Sequence, residues 1–310
     1  MQPAASVVVT SDYGLRATNG IENFRDCIEA LARQDVKEPV EFILVENSEL
    51  ALDIAARLTQ ILPSLRILPA PGQSAAELKN AGARAAAAEL VVFIDADCAA
   101  HPGWLTHFLE DMRRHPEVAV VTGRTHYGAS GFLNRVMALL SRSYLDQDSP
   151  GYTRHVAVNN AGFRRTVFLS HPCAVESGAH MSLLQAEALF RAGHRVLFDP
   201  RLSVRHAYDG WSNEREIRRS LGYGVIKTRL IDGRLPYARV ARMGYISVPL
   251  FAALRALHGC WNCLRRRRAY GVAWYELPAA FVLAAVTSMM EVPGMVRAVR
   301  GKPLGRSAFR

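Results

Sequence analysis

Four short apolar runs, each followed by a polar or helical interval, fill the first 95 residues and limit what this chain can fold into. Ser6-Val-Val-Val-Thr10, Val40-Glu-Phe-Ile-Leu-Val45, Ser64-Leu-Arg-Ile-Leu68 and Leu90–Ile94 read as strands. Between the first two, Ile21, Phe24, Ile28, Leu31 and Ala32 recur at helical spacing, which predicts a helix over 20–34. Two more helices are predicted over 51–62 and over the Ala-rich 75–89. Such alternation means an α/β fold, a mostly parallel sheet with helices on both faces. Ligands of these sheets sit outside the carboxyl ends of the strands.

At one such end the fourth strand runs straight into Asp95 and Asp97. In an extended chain two carboxylates two residues apart project to one side. Like charges that close repel unless a cation lies beside them, and a divalent metal holding a phosphate is the natural candidate. The glycine pattern of a dinucleotide fold does not follow the first strand, where Thr10-Ser-Asp-Tyr-Gly14 stands instead. An Asp-x-Asp after an apolar strand also opens haloacid-dehalogenase-like phosphatases. Here it follows three earlier strands and precedes Cys98, with no later acidic pair, which disfavours that class.

Further along, a helix is predicted over 104–115 and a strand over 118–122. Residues 125–158 are less periodic. Asn159-Asn-Ala-Gly-Phe-Arg-Arg165 reads as a polar turn, 182–192 as a helix, and 196–198 and 202–205 as short strands before His206.

Charge divides the chain. Residues 1–210 hold 20 Lys and Arg against 23 Asp and Glu, a net −3, whereas residues 211–310 hold 18 against 5, a net +13. Such asymmetry points to a segment facing an anionic partner. Five cysteines, an odd and scattered set, and a start (Met1–Ser6) without a basic region before its short apolar run predict a cytoplasmic, disulfide-free protein. Cys260-Trp-Asn-Cys263 has half-motif spacing but lacks a second pair, so ordinary thiols are expected there.

Four stretches together resemble the family-2 glycosyltransferases of the GT-A fold, of the membrane-associated bacterial type. Phe93-Ile-Asp-Ala-Asp-Cys98 with Pro102-Gly-Trp-Leu105 resembles the metal-binding Asp-x-Asp and its sequel. Ala76-Glu-Leu-Lys-Asn-Ala-Gly82 resembles the family's Ala-Arg-Asn-x-Gly stretch, with Lys79 where arginine is usual. Asn159–Arg165 resembles the acceptor-side loop, and Leu202-Ser-Val-Arg-His206 the late strand whose histidine completes the diphosphate site. The resemblance covers roughly residues 5–210 and implies a Rossmann-like domain over 1–215, followed by a helical, basic region over 216–310. It also implies that the chain moves a sugar from a nucleotide diphosphate sugar, a UDP-sugar in the first instance, to a lipid-linked or glycan acceptor with inversion. Asp95 and Asp97 would hold Mn²⁺ or Mg²⁺, joined by His206 if the ion is Mn²⁺. Thr10, Asp12, Glu46, Lys79 and Asp95 would meet the donor nucleotide, and Asn159, Asn160 and Arg164 the acceptor or phosphate.

One departure concerns the general base that must deprotonate the attacking hydroxyl. The family places it in a Glu-Asp pair ahead of an Ala-Gly turn. Counting back from Ala192-Gly193, that pair falls on Met181-Ser182, neither of which can serve. His180 and Glu176 are the nearby candidates; Glu187 lies well inside the predicted helix. A relative that binds nucleotide or lipid without turnover is the competing reading.

In the basic region, Met243–Leu254 and Leu277–Met290 are uncharged stretches of twelve and fourteen residues, with Leu264-Arg-Arg-Arg-Arg268 between them. Each is short of the ~20 residues a span needs. Arginine-flanked apolar helices of this length predict interfacial or re-entrant attachment to an anionic membrane surface, with core helices as the alternative. Pro278 and Pro293 predict the limits of the second helix. Nucleic acid is not expected as a partner, because few aromatics interleave the charges.

Overall fold

The computed structural model describes residues 2–10, 20–46, 56–70, 74–127, 131–206 and 210–304. Strands β1 (Ala5–Thr10), β2 (Val40–Glu46), β3 (Leu65–Pro69) and β4 (Leu90–Asp95) pair in parallel in the order β3-β2-β1-β4. They alternate with helices α1 (Gly20–Ala32), α2 (residues 56–61) and α3 (Ala75–Ala85). Every residue of β1 and β4 is buried, as expected of strands covered on both faces. Alternate side chains sort into two cores. Val7, Val9, Val92 and Ile94 pack with α1, α2 and α4 (Trp104–Arg114). Val8, Val91 and Phe93 pack on the other face with α3, α6 (Arg165–Ser170) and α7 (Met181–Arg191). Helix α3 lies tight on β1 at Gly82, where an added Cβ would stand 2.3 Å from a Val8 methyl.

Beyond β4 the sheet is mixed. Antiparallel β8 (Asn160–Arg164) separates β4 from β6 (Val118–Tyr127), β6 pairs in parallel with β9 (Arg195–His206), and β5 (Cys98–Ala100) and β7 (Gly151–Thr153) flank β9. Asn159–Arg165 is therefore mostly an interior strand and not a polar turn. Asn160 can lie inside a sheet because its amide is fully bonded: it accepts from Trp104 Nε1 (2.8 Å) and donates to the carbonyls of Arg124 (2.9 Å) and Leu202 (2.8 Å). The two short strands expected near residues 196–205 are one strand, β9, whose register against β6 shifts between Gly123 and Arg124. Within the less periodic 125–158 lies α5 (Phe132–Arg142).

Helices α8 (Gly210–Ile231), α9 (Ala238–Ala241), α10 (Ser247–Arg266) and α11 (Leu277–Val299) build a further layer. α8 and α11 cross with their backbones in contact: a Cβ on Gly222 would lie 1.9 Å from the Glu291 carbonyl, and one on Gly294 1.9 Å from that of Arg219. Pro293 does not end α11. It sits inside the helix, which runs one and a half further turns to Val299, with Met295 and Ala298 buried against α8. Among the described residues, one helix, Trp274–Val299, is long and apolar enough to cross a membrane. Its Glu291, however, is buried in a bidentate bond from Arg255 (2.7 and 2.8 Å) and lies 3.6 Å from Arg218, which donates to Glu214 at 2.5 Å. Two acids and two arginines balance in this seam, as buried charges require.

Candidate functional site

The carboxyl ends of β1 and β4 lie side by side, with Thr10 in register with Asp95. Lys79 reaches them from α3, donating to Thr10 Oγ1 at 2.5 Å and ion-pairing with Asp95 Oδ1, to which Thr10 also donates at 3.1 Å. The Lys79 side chain is wholly buried and that of Asp95 about one-tenth exposed. A capping box holds the start of α3: Glu77 donates its backbone N–H to Ser74 Oγ, and its carboxylate accepts from the Ser74 backbone. The lysine is thus presented from a fixed helix.

Two residues on, Asp97 turns to a different partner set. Cys98 in β5 is the cross-strand neighbour of His206 in β9, and such pairs share one face of a sheet. His206 Nε2 lies 3.4 Å from Asp97 Oδ2, and the Cys98 thiol donates to Asp97 Oδ1 at 3.4 Å. The ligand atoms of Asp97, Cys98 and His206 all fall within 4.8 Å of one another, and all three residues are buried. Asn159 donates to Thr125 Oγ1 (3.3 Å) and toward Cys98 Sγ (3.7 Å), and the Tyr127 ring stands edge-on to the imidazole at 5.3 Å. Burial, then Asp97 and Asp95, push the Cys98 thiol well above its usual range, so without a metal it is a neutral donor. A carboxylate and an imidazole converging at a strand end fit Mn²⁺; Mg²⁺ prefers oxygens alone.

A cavity of about 680 Å³ opens over these groups. Lys79, Asp95, Asn159 and His206 line it, as do Arg142, Glu176 and Lys227; Thr10 and Asp97 are not in the lining and meet it through Asp95 and His206. Glu176 accepts from Lys227 at 3.0 Å. Met181 and Ser182, where the base was expected, line the same cavity.

Some expected residues are elsewhere. Asp12 lies outside the described residues. Glu46 is buried at the end of β2, beside β1 but off the cavity wall. Asn160 faces Trp104 in the core, its amide committed to the strand crossing. Arg164 is at the wrong end of the sheet: β8 runs antiparallel to β4, which puts Arg164 opposite Leu90 while Asn160 meets Ile94. Its guanidinium donates to the carbonyls of Val118 (2.9 Å) and Pro116 (3.1 Å). His180 is turned from the cavity, its buried Nδ1 against α8, where a Cβ on Gly224 would meet it at 2.3 Å. Burial, then Arg255 and Arg229, push its imidazole down to about 3, so it stays neutral. Cys98, Tyr127, Arg142 and Lys227 were not singled out beforehand. Cys98 alone had a signal, its adjacency to Asp97; the others reach the cavity through packing that no local pattern records.

Residues 16–170 match the family described as glycosyl transferase family 2. No curated protein matches the sequence. Among solved structures, a mannosyltransferase from Pyrobaculum calidifontis, PcManGT, in complex with GDP-Man and Mn²⁺, aligns with TM-score 0.62 and 15% identity over 97% of this chain and 88% of its own. S. aureus TarS 1–349 aligns with TM-score 0.52 and 16% identity over 95% and 83%. GalNAc-T7 with UDP, GalNAc and Mn²⁺ aligns with TM-score 0.53 and 12% identity over 76% and 52%. At these identities the likeness is one of fold.

Proposed function

The chain belongs to glycosyl transferase family 2 and is a glycosyltransferase, and from that premise we propose that it moves a sugar from a nucleotide diphosphate sugar, with a divalent metal and inversion at the anomeric carbon. The acceptor is lipid-linked or glycan and is met at the cytoplasmic face of the membrane by a basic helical region beginning near residue 216. The observation that carries the reading is that Lys79, Asp95 and His206 line one cavity at the strand ends, with Thr10 bonded to Asp95 and Asp97 3.4 Å from His206.

Lys79 and Thr10 orient Asp95, leaving its remaining oxygen to accept from the nucleoside. Asp97 and His206 would hold Mn²⁺ or Mg²⁺, Mn²⁺ by preference, and the ion when bound neutralises the charge that grows on the departing diphosphate. Arg142 lines the same cavity and supplies a second cation for that charge. Glu176 is the carboxylate left for the acceptor proton, with Lys227 fixing its rotamer. A UDP-sugar is the first donor to test, GDP-mannose the second.

A chain that binds nucleotide without turnover is favoured by one observation, the apolar Met181 and the unassisted Ser182 at the expected base position. Radiolabelled donor and purified protein separate the two. Metal-dependent transfer or slow donor hydrolysis, lost in Glu176→Gln, supports the transferase; binding with neither supports the second reading.

A further inference from the structure

Leu250, Leu254, Leu257, Trp261 and Leu264 are exposed along α10, Leu257 at 67% and Trp261 at 58%. Their spacings of four, three, four and three residues place them, at 100° per residue, within an arc of about 80°. A helix of a globular protein turns such a stripe inward. Here the inward side is the opposite one: Gly259 meets Ala284 of α11 and Leu140 of α5 there, at 3.0 and 3.2 Å from an added Cβ. Tyr245 and Ile246, also exposed, precede the stripe, and Arg265 and Arg268, both exposed, end it.

We infer that this face of α10 is a membrane-docking surface that lies in the plane of an anionic bilayer, apolar stripe inserted and arginines at the phosphates. This rests on the transferase reading only in where the acceptor is met. Charge selects the occupant. Residues 237–275 contain seven arginines and no acid; Arg255 and Arg266 pair within the chain, with Glu291 and with Asp146 and Asp148, but a second copy would bring the exposed Arg265 and Arg268 no partner from its own stripe, whereas an anionic headgroup layer does. A tryptophan between leucines and a tyrosine at one end suit the boundary between headgroups and acyl chains. The attachment is neither spanning nor re-entrant. Among the described residues the helix long enough to span, α11, has Glu291 clasped by Arg255 in the seam with α8 and α10, and cannot leave the protein without stranding those charges.

Docking this way has a consequence for delivery of the acceptor. Helix α5 packs on the inner side of α10 through Leu140, and the next residues, Ser141 and Arg142, line the cavity. Helices in contact sit about 8–10 Å apart, so the cavity stands one helix layer above the inserted face. A headgroup-borne acceptor reaches that height without leaving the bilayer.

The test is co-sedimentation of the full chain with phosphatidylcholine vesicles, with and without phosphatidylglycerol, alongside calorimetric titration of nucleotide with Mn²⁺ and circular dichroism. Binding is expected with the anionic vesicles and not with the neutral ones. Leu257→Glu combined with Trp261→Glu should abolish it. Arg265→Ala combined with Arg268→Ala should weaken it by about fivefold per arginine, roughly 25-fold in all, with a flatter salt dependence. Both variants should keep the fold and the nucleotide titration. Equal binding to neutral vesicles, retention by the double glutamate variant, or a dimer in sedimentation equilibrium that the glutamates dissolve would overturn the inference. Vesicle binding without nucleotide binding would instead sink the transferase reading and leave this one standing.

Discussion

Replacing Lys79 by methionine isolates the electrostatic centre of the site. The substitution keeps an unbranched side chain of similar length in α3, so the packing against Thr10 survives and the ammonium does not. Its partner Asp95 is about one-tenth exposed and keeps the hydrogen bond from the Thr10 hydroxyl but no cation. A unit charge pair about 4 Å apart in an effective dielectric of about 20 is worth about 4 kcal/mol. Stranding one member of a buried pair costs about 3–5 kcal/mol. Urea unfolding followed by circular dichroism should therefore show Lys79→Met destabilised by about 4 kcal/mol. The double variant Lys79→Met, Asp95→Asn should recover most of that loss, because no charge remains to be stranded, while nucleotide binding stays lost in both. A cost below about 1 kcal/mol, or a double variant no more stable than the single, would refute the claim that Lys79 compensates Asp95.

Three further outcomes follow from the same geometry. Asp111 and Asp199 are buried side by side under Arg201, and burial, with the neighbouring Asp199 carboxyl, lifts Asp111 to about 7 while Asp199 is lowered. Between the unfolded carboxyl value near 4 and about 7 the folded chain holds the extra Asp111 proton, so stability should fall as pH rises across that window, and Asp111→Asn should flatten the slope in urea titrations at several pH values. Glu176→Gln should lower transfer by about 10²-fold or more without changing nucleotide affinity, whereas His180→Ala, read per folded molecule, should leave transfer within about twofold; progress curves with labelled donor distinguish them. Glu291→Gln should cost about 3 kcal/mol or more, because Arg255 and Arg218 lose a shared buried counterion, and thermal melts of the purified variant check it.

The first half of the sheet was legible because buried parallel strands write themselves as continuous apolar runs, and β1, β2, β3 and β4 fall within a residue or two of where those runs place them. The Asp97–His206 meeting was legible through the resemblance, since nothing local in Leu202–His206 says that β9 will pair with β5. Asn159–Arg165 misled for a physical reason. Asparagine and glycine are turn residues by propensity, yet Asn160 is worth burying here because three partners satisfy its amide, and those partners lie 36 to 56 residues away in sequence. Arg164 was misplaced by the same error, as a strand carries its far end across the sheet where a turn would have kept it at the site. Pro293 misled because a proline stops a helix only where its missing N–H and ring cannot be accommodated; the tight crossing at Gly294 holds α11 together past it.

The central claim is that Asp97 and His206 form a metal site serving a nucleotide held at Asp95. Its most direct test is calorimetric titration of the wild-type chain and Asp97→Ala with UDP and GDP, each with and without Mn²⁺. The account predicts that one nucleotide binds the wild type, that Mn²⁺ strengthens the binding, and that Asp97→Ala abolishes the metal effect while the fold persists. Binding of equal strength with and without Mn²⁺, or a metal effect untouched by the loss of Asp97, would contradict it.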